Sequence, residues 1–200
     1  MSHPIDEITE LIARMPGIGP RQARRIVQFL LRSDASYKQK LTSAISRIAD
    51  HISQCKQCFR FDEVDTDQVC TLCADTQRDP TLLMVVEKDV DIESIEQAGI
   101  YNGYYFVLGS LIPLAKQRKN IIEPRTHLLE KRLGNSQINE VILAFATTPE
   151  GDFTARELST LLKERTPHIH TSMLGRGLSL GAEIEYADQD TLRNAFDGRH

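Results

Sequence analysis

Three observations predict an α/β protein, with a mostly parallel sheet preceded by a helical helix-hairpin-helix domain and a small zinc ribbon. From residue 79 onward, apolar runs suited to buried strands alternate with amphipathic segments, an order that gives a parallel sheet with helices on its faces. Residues 4–53 instead carry their apolar positions at spacings of three and four, broken by a Pro16-Gly17-Ile18-Gly19-Pro20 turn. Between these regions lie the only four cysteines of the 200 residues, as Cys55-x-x-Cys58 and Cys70-x-x-Cys73.

Ile5, Ile8, Leu11, Ile12 and Met15 describe one face of a helix over 4–15, which Pro16 ends. Pro20 suits a first helical position, and the second helix is expected over 20–32 with Ala23, Ile26, Val27 and Leu30 inward. Gly17 and Gly19 would let backbone N–H groups approach a phosphate at the start of that helix, where the partial positive charge favours an anion. Ile18 would plug the hairpin. Arg21, Arg24 and Arg25 stand on the first turns, positioned for neighbouring phosphates, so the turn reads as a nucleic-acid backbone grip without base sequence information. The alternative is a Gly/Pro turn in a helical bundle with a solvated arginine face. A third helix over 35–53 puts Tyr37, Leu41, Ala44, Ile45, Ile48 and Ile52 on one face.

A C-x-x-C pair turns two sulfurs toward one point, and two such pairs offer Cys55, Cys58, Cys70 and Cys73 as the tetrahedral thiolate set that Zn2+ prefers. With all four positions filled by protein, the site reads as structural rather than catalytic. Two disulfides or unrelated thiols are the alternative, and His51 lies close enough to replace a sulfur.

Asp79-Pro80 is expected to break the chain. Strands follow over 81–87, 104–108, 141–146 and 168–173, with helices over 92–98, 125–133, 154–164 and 190–196. Ligands of such sheets gather at the carboxyl ends of the strands. Glu87 with Asp91, and Glu150 with Asp152, sit there and could hold Mg2+ or attract a basic partner, although Asp91 and Asp152 also stand where a helix cap would help. Gly175 to Gly181 is glycine-rich but lacks the Lys-Ser/Thr ending of a phosphate-cradling loop.

The composition is 40% hydrophobic and 26% charged with a formal net charge of −4. No run of about eighteen apolar residues exists for a membrane span, and residues 1–4 open no apolar signal segment, so a cytoplasmic location is expected, where thiols stay reduced. Residues 1–50 hold eight Lys and Arg against five Asp and Glu, which leaves the remainder seven charges negative. A basic front and an acidic back imply different partners for each.

Taken in order, the Pro-Gly-Ile-Gly-Pro hairpin, the four cysteines, Val85-Val86-Glu87 followed by Asp91, Gly103-Tyr104-Tyr105-Phe106-Val107-Leu108-Gly109, Glu150-Gly151-Asp152-Phe153-Thr154-Ala155 and Glu185-Tyr186-Ala187-Asp188 resemble the RecR family of bacterial recombination mediators over essentially the whole length. The resemblance implies a helix-hairpin-helix domain (1–53), a four-cysteine zinc finger (54–78), a Toprim domain (79–173) and a C-terminal glycine-loop and oligomerisation segment (174–200). It implies a non-enzymatic DNA clamp that acts with RecO and RecF to load RecA onto single strands. It also implies a homo-oligomer, a dimer or a ring-like tetramer, assembled through the N- and C-terminal regions. Under it the hairpin glycines and Arg21, Arg24 and Arg25 match DNA-facing positions, and Glu87, Asp91, Glu150 and Asp152 match metal or partner positions. The alternative is a Mg2+-dependent Toprim nuclease or topoisomerase-like enzyme, although this set of four carboxylates lacks the usual Asp-x-Asp of Toprim catalysts. The sequence departs from the family at Phe106, where a histidine is usual, at Ser110 (glycine), Ser172 (arginine) and near Ser179 (proline). It also carries Lys116, Arg118 and Lys119 in place of a glycine-proline-rich loop.

Overall fold

The computed structural model describes residues 3–114, 125–134, 137–175, 177, 178, 181 and 183–198. The chain folds as two units, Met1–Ile52 and Ser53–His200. Lys116, Arg118 and Lys119, and Arg176, Ser179 and Leu180 of the glycine-rich stretch, lie outside the described residues.

The first unit holds α1 (Pro4–Ala13), α2 (Pro20–Arg32) and α3 (Ala35–His51). Proline occupies the first turn of α1 and of α2, where its missing N–H has no intrahelical partner to lose. Asp34 caps α3, its carboxylate accepting the Tyr37 amide at 2.7 Å. Ile12, Ala23 and Val27 form the small core, with Ile18, Ile26 and Leu30 packed against it. Ile18 therefore does seat in the hairpin. The apolar faces expected on α1 and α3 are largely uncovered in the structure. Ile5, Ile8, Leu11 and Met15 are exposed, α3 buries no residue, and Ile45 and Ile48 are 59% and 61% exposed. Three short helices enclose too little volume to cover every apolar stripe they carry.

The second unit opens with a two-stranded ribbon, β1 (Ile52–Gln54) and β2 (Phe61–Glu63), and the one-turn α4 (Thr71–Ala74). Then come β3 (Asp79–Val86), α5 (Asp89–Ala98), β4 (Gly103–Val107), α6 (Thr126–Gly134), β5 (Glu140–Ala144), α7 (Pro149–Arg165) and β6 (His170–Met173). A 3-10 turn (Ile184–Tyr186) and α8 (Gln189–Asp197) follow. The four long strands form one parallel sheet in the order β4-β3-β5-β6.

Leu83 to Val86 of the central strand are all buried, as a strand covered on both faces requires. Alternate residues face opposite cores. Leu83, Val85, Phe106, Val141 and Leu143 pack with Leu129, Leu133, Leu158 and Leu162 of α6 and α7, whereas Met84, Val86, Tyr105 and Val107 pack with Ile92 of α5. Pro80 does not break the chain before the strand, as expected from the sequence; it lies inside β3. Lacking an N–H, it cannot join a ladder, and the pairing with β4 shifts register from Asp79↔Gly103 to Leu83↔Tyr104 around it.

Candidate metal centre and nucleic-acid interface

The ribbon brings Cys55, Cys58, Cys70 and Cys73 together as a buried set whose sulfurs all lie within 4.8 Å of one another. Cys58 Sγ and Cys70 Sγ are 3.6 Å apart. Four sulfurs on a tetrahedral Zn2+ at about 2.3 Å would stand about 3.8 Å from each other, so the donor set fits that ion. The backbone supports the sulfurs, with the amides of Gln57 and Cys70 each donating to Cys55 Sγ at 3.4 Å. Phe59 follows the first knuckle in the left-handed region at φ 64°, where its amide donates to the Cys55 carbonyl at 3.0 Å.

Crowding divides the four thiols. Hydrogen bonds from Cys58, Cys70 and Cys73 hold Cys55 far below the ordinary thiol range. Cys55 pushes the Cys70 thiol up, but bonds from Cys58 and Cys73 together prevail and pull it down to about 7. Cys58 and Cys73 are pushed up by sharing protons with their neighbours, Cys55 first in both cases. A divalent cation would relieve this competition by allowing every sulfur to ionise.

In the first unit the hairpin turn depends on Gly17, which adopts φ +76°. Gly19 is the extended N-cap of α2, and the Ala23 amide donates to its carbonyl at 3.0 Å. A side chain at Gly19 would meet only the mobile end of Gln22, with its Oε1 2.9 Å away, so Gly17 is the more restrictive of the two. Arg21, Arg24 and Arg25 are exposed on α2, and none forms an ion pair among the described residues. The sequence reading stopped short of Arg32, which lies seven residues beyond Arg25 on the same helical face and lines a groove with Arg24 and Arg25.

The four acidic residues follow the carboxyl ends of two strands, as two pairs. Val86 and Ala144 are partners, so the segments carrying Glu87 and Glu150 leave the sheet from neighbouring strands. Glu87 is engaged by Lys88 Nζ at 3.0 Å. Asp91 accepts the Lys88 amide at 2.9 Å in a capping box. On α7 the cap is Thr148, whose Oγ1 accepts the Gly151 amide at 3.1 Å, while exposed Glu150 and half-buried Asp152 occupy the first turn. Among the described residues the cysteines are the one set of three or more such ligands converging within 4.8 Å.

Two groups that the sequence reading missed stand at the same end of the sheet. Burial pushes the Asp89 carboxyl above its usual range, against the Phe61 amide that donates to it at 3.3 Å and the nearby Arg60 and Arg125 charges. Arg125 donates to the Val107 carbonyl at 2.9 Å and lies 5.3 Å from the Phe59 ring centre. A Cβ on Gly109, itself at φ +88°, would fall 2.8 Å from Arg125 Nη1. An Asp at a helix start and an Arg before a helix carry no sequence signal that separates such contacts from ordinary capping.

Family models match three stretches of the chain: "RecR, helix-hairpin-helix" at residues 5–49, "Toprim domain" at 81–172 and "RecR, C-terminal" at 177–200. A recombination protein RecR from Dehalococcoides mccartyi is 38% identical over 197 residues, covering 98% of this chain and 93% of that relative. Those from Chloroflexus aggregans and Cutibacterium acnes are 35% and 36% identical, each covering 98% of this chain and 93% and 94% of the relative. No helix among the described residues is long and apolar enough to cross a membrane.

Proposed function

Because the chain belongs to the RecR family of recombination proteins, we propose that it is a non-enzymatic DNA clamp that, with RecO and RecF, helps load RecA onto single-stranded DNA in recombinational repair. The observation that carries this reading is the hairpin. Its turn is held open by left-handed Gly17, and the arginines of the following helix are exposed and free of ion pairs among the described residues. Backbone amides at a helix start and an arginine row suit the sugar-phosphate chain of any sequence. Arg24→Glu combined with Arg25→Glu is expected to weaken binding equally on unrelated DNA sequences and to reduce the slope of log affinity against log salt by about two. Unchanged binding by the double variant would remove the hairpin from the interface.

Cys55, Cys58, Cys70 and Cys73 would hold one structural Zn2+, which supplies folding energy rather than chemistry. Glu87, Asp91, Glu150 and Asp152 serve a basic partner, or Mg2+ recruited with it, rather than a resident metal. The division into a DNA-gripping helical domain (1–53), a zinc finger (54–78), a Toprim domain (79–173) and an oligomerisation segment (174–200) belongs to the same reading. So do a homo-oligomer, dimer or ring-like tetramer, and a cytoplasmic, nucleoid-associated location. Incubation with labelled DNA and Mg2+ or Mn2+ distinguishes the clamp from a Toprim nuclease or topoisomerase-like enzyme. Cleavage that Glu87→Gln abolishes would establish the enzyme.

A further inference from the structure

We propose that Phe29 is a base-stacking platform set into the arginine stripe of α2, making single-stranded DNA with unstacked bases the substrate class that this hairpin takes. The inference rests on the hairpin reading given above and adds to it a preference that phosphate contacts alone cannot give. Arg24, Arg25, Gln28, Phe29 and Arg32 together line one open groove of about 410 Å3. Phe29 is 57% exposed within it, and α2 contains no acidic residue. Asp6 and Glu10 of α1 do not line this groove; they line a neighbouring one that shares Arg24 and Gln28 with it.

A large exposed apolar ring among cations is an expensive arrangement for a solvated face, where lysine or glutamine would serve. It is what a sequence-tolerant single-strand site requires: charges that follow the backbone and a π-face for the bases. The ring is also oriented. Tyr37 of α3, 43% exposed, meets it edge-on, with centroids 5.6 Å apart and planes at 83°. This contact restrains Phe29 while leaving over half of its surface to solvent. Phe29 does not belong to the apolar groove of the same unit, which Leu31 lines. The two residues point about 200° apart on the helix, with the arginine row between them.

Base–aromatic stacking contributes about 1–3 kcal/mol per base, so loss of the ring should cost roughly five- to a hundredfold in affinity. The test uses the full chain and fluorescence anisotropy on an oligothymidine strand, an abasic strand of the same length and a duplex. Phe29→Leu keeps an apolar side chain but removes the π-face. It should lose at least fivefold on oligothymidine, lose nothing on the abasic strand or duplex, and regain wild-type binding as Phe29→Tyr. Arg25→Glu with Arg32→Glu should weaken all three. If Phe29→Leu binds oligothymidine like wild type while the arginine variant fails, the stacking proposal is overturned and the backbone grip stands. If the arginine variant binds normally, the grip itself is wrong and the proposal falls with it. If Phe29→Leu lowers the solution mass, the ring belongs to a contact between copies of the chain, and the proposal is again overturned.

Discussion

Arg78, four residues past α4, is 8% exposed and spends its guanidinium inside the second unit. Nη1 donates to Glu96 Oε1 at 3.1 Å and to the Gly103 carbonyl at 3.0 Å, and Nη2 pairs with the other Glu96 oxygen. Tyr105 Oη donates to Glu96 Oε1 at 2.6 Å. One cation thereby ties the segment after the cysteines to α5 and the edge strand β4. Arg78→Leu would strand a half-buried carboxylate and should lower stability by about 3 kcal/mol in urea unfolding. Burial works upward on the Glu96 carboxyl, but its bonds to Arg78 and Tyr105 prevail and hold it below the usual range. A folded pKa below the unfolded one gives stability that is complete above the ordinary glutamate value and lost as pH falls through the folded value. The acid limb of the stability profile should therefore flatten in Glu96→Gln; an unchanged limb would assign acid sensitivity elsewhere. Positions 106 and 172, singled out in the sequence, have local explanations of the same kind. Phe106 is fully buried and packs edge-on against Phe59, with centroids 5.3 Å apart. Phe106→His should cost about 2 kcal/mol, because the imidazole would enter an apolar core without a partner. Ser172 Oγ donates to Glu140 Oε1, a contact between neighbouring strands β6 and β5.

Among the elements, the cysteine knuckle and β4 are joined more closely than their separation in sequence implies. β4 lies at one edge of the sheet, and the Leu108 and Gly109 amides just past its end turn to the β3 side, at Val86 and Glu87. The Val107 amide points the other way, and its acceptor is the carbonyl of Cys58 at 2.7 Å. The knuckle thus covers part of an otherwise open sheet edge. Removing the metal by chelation, or Cys70→Ser, should raise hydrogen exchange at 103–108 while β5 stays protected, and should lower folded yield. Continued protection of the Val107 amide in metal-free protein would show that the edge does not depend on the knuckle. This junction also marks where the sequence became illegible. The long elements could be read because their signals are long: the apolar run of β3, the caps and periodicity of α2, and the two C-x-x-C pairs. β1 and β2 have three residues each, too few to display a period of two. The Cys58 carbonyl and Arg78 act through backbone and long-range geometry that side-chain spacing does not encode. Periodicity identified the apolar stripes of α1 and α3 but says nothing about what covers them, and most of their residues are exposed.

At the scale of the molecule, that exposed apolar surface and the basic character of residues 1–50 point to two different encounters. Charge governs DNA capture, which should weaken steeply with salt because each neutralised phosphate releases condensed counterions. Apolar surface would govern any self-association. Ile5, Ile8, Leu31, Leu41 and Ile45, each at least 36% exposed, surround a groove of about 330 Å3 in the first unit. Contiguous apolar patches of this kind are uncommon on a monomer and characteristic of an interface. If copies of the chain assemble through it, Ile45→Glu places a charge where the partner's side chains would exclude water, and the mass in solution should fall to that of a smaller species. DNA binding per chain would then weaken through lost avidity, while the salt slope per chain stays the same. Light scattering of wild type and Ile45→Glu, each with and without a DNA ring too small to thread, measures both effects together. Equal masses for the two proteins under both conditions would exclude this face from assembly and leave the C-terminal segment as the region to test.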